Sequence, residues 1–196
     1  MLLRLRISLP DRPGGLGHVA RALGVLGADI LQVTVLEREA GRAVDEFVVN
    51  WPGSGGPETV AERLTGVPGI RVEGVWATRE VPGTAPDYDL LWHVAADPAR
   101  AYATLVDALP ALCGGEWAAA LLGEEVRLRS PLAPEQVKLP EVLRPSTLSE
   151  GGLAYLALPA GGLTLVVARG DGPPYHRAEL ERAVQLVRVV SKLAEC

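Results

Sequence analysis

Residues 2–9, LLRLRISL, alternate without a break. Leu3, Leu5, Ile7 and Leu9 fall on one side and Arg4, Arg6 and Ser8 on the other, which predicts a strand with one buried face. Leu16, Val19, Ala20, Leu23 and Leu26 then recur at helical spacing, with Gly27 as the stop. Two β-rich runs follow, ILQVTVLERE and AVDEFVVNW, separated by AGR as a hairpin connection. After the loop GSGGPE, Pro57 suits a helix start and Val60, Leu64 and Val67 form its apolar stripe. GIRVEGVWATR reads as a fourth strand. The order over residues 1–78 is βαββαβ, a ferredoxin-like arrangement with helices on one face of an antiparallel sheet.

The Pro- and Gly-rich stretch at 79–86 reads as a linker, and residues 87–196 as a second domain. There, Asp97 and Pro98 suit a helix start, and Tyr102, Leu105, Val106, Leu109 and Leu112 form a stripe ended by Gly114 and Gly115. EWAAALLG and EVRLRSPL are joined at Gly123-Glu124, and GLAYLALP and LTLVVARG across AGG. Between the two pairs, residues 133–150 carry no clear period. Leu180, Val184, Val187, Val190 and Leu193 mark a long closing helix. The fold class is therefore α+β, with a second antiparallel sheet flanked by helices. The halves do not repeat each other.

Hydrophobic residues make up 48% of the 196-residue chain, enough for real cores. A formal net charge of -5 with scattered Lys and Arg argues against a nucleic-acid surface. No segment reaches the ~20 apolar residues that span a bilayer, so no membrane partner is expected and the cytoplasm is the expected location. Cys113 and Cys196 do not make a disulfide framework, and Cys113 reads as a small buried hydrophobe. No metal-ligand spacing, phosphate-binding loop or nucleophile motif is present, and Glu124-Glu125 is most simply a solvated hairpin tip. The expectation is a non-enzymatic chain without a cofactor.

DRPGG, residues 11–15, remains to be explained. Its structural account is a strand turning into a helix: Asp11 caps it, Pro13 presets its first turn and the glycines permit a tight approach. Its functional account uses the same atoms. A helix start offers free N–H groups and partial positive charge to a carboxylate, while Asp11 can hold an ammonium group. Together they describe a receptor for a free amino acid. Asp29 joins it if the first two strands end at the same edge. His18 and Arg12 read as surface residues, and Trp51 and Trp76 as core or rim.

With DRPGGL at the first strand-to-helix turn, residues 1–78 resemble the ACT domain, a small-molecule-sensing module. ACT domains commonly pair side by side through their sheets, and amino acids often bind at the resulting interface. By motif position the resemblance implies a ligand site at Asp11, Gly14, Gly15 and Asp29, joined by backbone groups around Arg12 and Ile30, in a homodimer. The serine-binding version has asparagines where Asp11 and Asp29 stand, so here two carboxylates face the ligand with no compensating cation. The tail, with Arg169 ending a strand pair, Tyr175 opening the last helix and then Glu179-Leu180, resembles the end of a GAF domain. That resemblance covers residues 86–196 and implies a scaffold or dimerisation role more than sensing. The alternative for the whole chain is an interaction protein that dimerises through both folds and binds no small molecule.

Overall fold

In the computed structural model, which describes residues 1–53, 55–78, 83 and 85–195, the chain forms two units. One comprises Met1–Pro82 with Asp171–Pro173, the other Gly83–Gly170 with Pro174–Cys196. Most of the 79–86 linker, and Cys196, lie outside the described residues.

The first unit runs β1 (Leu2–Pro10), α1 (Gly15–Val25), β2 (Asp29–Glu39), β3 (Arg42–Asn50), α2 (Pro57–Thr65) and β4 (Arg71–Ala77). Its sheet has the order β2-β3-β1-β4, antiparallel throughout. This is the ferredoxin-like arrangement that the hydrophobic pattern predicts. Leu3, Leu5, Ile7 and Leu9 meet Val19 and Leu23 of α1 and Val60 and Leu64 of α2 in one core, with Phe47, Val49 and Trp51. Gly27 takes a left-handed φ of 76° just past the end of α1. Val67 lies beyond α2, which stops at Thr65.

The expectation that β1 buries one face is corrected. Arg4, Arg6 and Ser8 are also buried, each with a partner. Glu46 of β3 accepts from Arg6 at 2.7 Å and pairs with Arg4 at 3.3 Å, and Arg6 lies 5.6 Å from the centre of the Trp76 ring. Arg42 donates to the Ser8 hydroxyl at 2.9 Å. Charged groups leave water only when such partners replace it, and period-two patterning alone cannot reveal those partners.

The second unit opens with α3 (Pro86–Ala96), a 3-10 turn at Pro98–Arg100 and α4 (Ala101–Cys113). It continues through β5 (Trp117–Leu122), β6 (Glu125–Arg129), β7 (Ser146–Glu150), β8 (Leu153–Ala160), β9 (Leu163–Arg169) and α5 (Arg177–Leu193). The sheet order is β6-β5-β9-β8-β7, consistent with a GAF-like arrangement. All three helices pack on one face, where Leu90, Val94, Leu105, Leu109, Val187 and Val190 meet Ala118, Ala120, Leu156, Leu165 and Val167. On the opposite face, Trp117, Ala119, Tyr155 and Val166 lie under Ala133 and Val137 of the irregular stretch before β7. Asp97 starts the short 3-10 turn rather than the long helix and makes no capping bond. Among the described residues, no helix is long and apolar enough to cross a membrane.

Candidate functional site

The turn from β1 into α1 shows what each residue of DRPGG does. The Asp11 N–H donates to Gly41 O at 2.9 Å, and Gly15 N–H to Arg12 O at 3.0 Å. Gly14, not Asp11, is the N-cap of α1, with a left-handed φ of 86°, and no side chain caps the helix. A residue with a Cβ is strained there. At Gly15 the constraint is space: a Cβ would stand 2.7 Å from Pro10 O. Pro13 precedes the helix, so the expected capping by Asp11 and the first-turn proline are both corrected.

Asp11 is free of the capping role because it serves another partner. Its carboxylate accepts from Arg38 Nε at 3.0 and 3.2 Å and from an Arg38 terminal nitrogen at 2.8 Å, a two-armed pair. The hydrogen bond and charge of Asp11 hold the Arg38 guanidinium above its ordinary pKa. Arg38 reaches this face through irregular pairing of β2. The ladder with β3 slips between Ile30 and Gln32 and again between Val35 and Glu37, leaving Leu31 and Leu36 as extra residues. After the second slip Arg38 pairs with Ala43, on the helix-covered side of the sheet, and Glu37 with Val44 on the other.

Asp45 completes the group. It sits between Ile7 of β1 and Val35 of β2, in the phase of β3 that otherwise carries Ala43, Phe47 and Val49. It is 4% exposed, and its Oδ1 has no hydrogen-bond partner among the described residues. Burial, and after it the charge of Asp11, hold its carboxyl above the usual range, with Arg38 opposing them. Two carboxylates and one guanidinium therefore gather beside the start of α1. The expectation that Asp11 and Asp29 face a ligand without a cation is corrected: Arg38 holds Asp11, and Asp29 lies elsewhere.

Of the residues expected at a ligand site, Asp11, Arg12, Gly14 and Gly15 stand together in this turn. Asp29 and Ile30 do not join them. Asp29 pairs with Asn50, which pairs with Leu2, whereas Pro10 lies across from Arg42 and Glu39. Strands β1 and β2 are parallel, and Asp29 opens β2 at the far end of the sheet, about 26 Å away by strand rise. Ile30 packs against the core. Sequence reading missed Arg38 and Asp45. Asp45 left a signal, a lone carboxylate in the apolar phase of its strand; Arg38 left none, because its side depends on where β2 slips.

In the second unit, Arg169, Tyr175 and Glu179 come together. Arg169 donates to Gly114 O at 2.9 Å, Cys113 O at 2.8 Å and Glu179 Oε1 at 2.7 Å, and its guanidinium carbon lies 3.9 Å from the centre of the Tyr175 ring. Glu179 also accepts from the His176 N–H at 2.7 Å, and His176 Nδ1 accepts from Ala178 N–H at 3.2 Å, closing the start of α5. The cluster fastens the end of α4 to the beginning of α5. Burial pushes the Cys113 thiol up to about 12 and raises Tyr175 well above its ordinary value, so neither ionises near neutral pH.

No family model matches the chain, and no curated protein matches it. Among solved structures it is similar to a formyltetrahydrofolate deformylase from Pseudomonas putida KT2440, at 18% identity and a TM-score of 0.32. That likeness covers 50% of this chain and 39% of the deformylase. It is also similar to an unknown protein from Galdieria sulphuraria, at 12% identity and a TM-score of 0.33, covering 97% of this chain and 91% of that one. At such distances the functional reading rests on the residues themselves.

Proposed function

We propose that this is a non-enzymatic regulatory protein of the cytoplasm whose first unit binds a free amino acid where two copies pair along β2. One observation carries the reading. The two halves of the expected site lie at opposite ends of β2, and β2 is an edge strand of its sheet. A two-fold axis near Thr34 would pair β2 with its own copy in antiparallel fashion and bring the partner's Asp29 to the Asp11 end. The same pairing would cover Leu31, Val33 and Val35, which are 41%, 38% and 56% exposed. The ammonium group of the ligand then faces Asp11, and its carboxylate faces the uncapped start of α1. Binding shifts the protein only as far as the ligand favours one arrangement over another.

A second reading also has an observation behind it. Arg38 already satisfies Asp11 without a ligand, which suits a pairing module that binds nothing small. Thermal unfolding of the full chain with each of the twenty amino acids at millimolar concentration separates the two. A ligand at a hundred times its Kd stabilises by about 2.7 kcal/mol. The sensor reading expects one or a few amino acids to shift the midpoint and Asp11→Ala to abolish the shift. Light scattering should give a dimer in both readings. A monomer, or silence across the amino-acid panel, overturns the sensor reading.

A further inference from the structure

We infer that Asp45 makes the site beside α1 selective for an amino acid with a positively charged side chain; the inference rests on the amino-acid reading above. The helix start alone would not carry this. Asp45 adds an independent observation: a carboxylate 4% exposed, with an Oδ1 that nothing in the described residues satisfies.

A buried acceptor left open in this way disfavours the empty protein and favours any ligand that supplies a donor. Arg38 is the nearby cation, but its Nε and one terminal nitrogen both serve Asp11. Arg38 is committed to Asp11, which leaves the negative charge of Asp45 in excess. An amino acid with a neutral side chain brings an ammonium and a carboxylate that cancel. A basic one brings a further cation, which offsets the excess and donates to Asp45.

The register gives that cation a route. Ala43, two residues before Asp45, pairs with both Leu9 and Arg38, at the level of the turn. Asp45 is therefore about 7 Å deeper along β3, a depth that suits the flexible stem of a basic side chain. Its neighbour towards the sheet edge is Val35, exposed in the single chain and part of the seam in the paired form, so the approach runs beneath that seam. A ligand whose backbone groups are held at Asp11 and the α1 start thus points a basic side chain towards Asp45.

The test titrates the full chain calorimetrically with arginine and lysine and with their uncharged isosteres, citrulline and 2-aminoheptanoic acid. Arginine or lysine should bind at least about tenfold more tightly than its isostere, a difference of about 1.4 kcal/mol. Asp45→Asn should erase that preference while retaining weak binding of the isostere. Equal binding of a charged ligand and its isostere by the unaltered chain overturns the inference, as does a preference that survives Asp45→Asn. Tight binding confined to neutral amino acids overturns it too and leaves the amino-acid site standing. No binding by any of the twenty amino acids overturns both.

Discussion

Two arginine–carboxylate pairs of nearly equal length do different things in this protein. Arg169 and Glu179 are 2.7 Å apart with side chains 1% and 13% exposed, whereas Arg38 and Asp11 are 2.8 Å apart at 66% and 29%. The first pair is embedded: its arginine also takes two carbonyl groups at the end of α4, and its glutamate closes the start of α5. The second stands in water beside an unsatisfied carboxylate. Distance alone does not rank them. What ranks them is how many other groups lose their partners when one side chain goes, and whether water can replace it.

The sharpest way to break the comparison is Arg169→Ala. Glu179 and the carbonyls of Cys113 and Gly114 would all lose a donor inside the fold, and denaturant unfolding should show a loss of about 3–5 kcal/mol. Next is Cys113, at the same end of α4. With its thiol pushed up to about 12, alkylation at pH 8 should run roughly a thousandfold slower than for a free cysteine, as peptide mapping by mass spectrometry would show. Fast labelling would mean that the α4–α5 clasp opens readily.

Smaller effects sharpen the other side. Folding holds the Asp45 carboxyl above its unfolded value of 3.8, mainly by burial, so the folded state favours the protonated form. The stability this gives is fully present below the unfolded value and is lost as the pH rises through the folded one. At neutral pH, Asp45→Asn should therefore stabilise the unliganded protein by about 1 kcal/mol or less. The gain should vanish in thermal melts taken at progressively lower pH. Smallest is Arg38→Ala, whose unfolding midpoint should match that of the unaltered chain within error. If it lowers the midpoint as far as Arg169→Ala does, exposure is not what separates the two pairs.

The physics of each element decides how much of this was legible. β1 announces itself because alternation survives wherever one face is apolar, and the βαββαβ order follows from such periods and their punctuation. The burial of Arg4 and Arg6 was invisible, since a strand with an apolar core on one face and paired charges covering the other reads as half-exposed. α3 was missed because Tyr88 and Trp92 are exposed while Leu90 and Val94 are buried, so apolar residues occur all round it and blur the helical stripe. Arg169, Tyr175 and Glu179 were legible only as a family pattern: the contact joins residues of different elements. In the candidate site, the turn at Asp11 was readable and its partners were not. Strand direction sends Asp29 away and strand slippage brings Arg38 in, and neither is a local property of sequence.

That slippage makes the length of β2 as informative as its composition. Leu36 is the surplus residue that turns Arg38 towards Asp11 and Glu37 away from it. An in-frame loss of its codon, with every other residue unchanged, would straighten the strand and still leave Glu37 opposite Val44 and Arg38 opposite Ala43. Among natural variants of this chain, a gap of one residue at this place in β2 would thus keep the arginine at Asp11, whereas a ladder that retained Leu36 without the bulge would set Glu37 there.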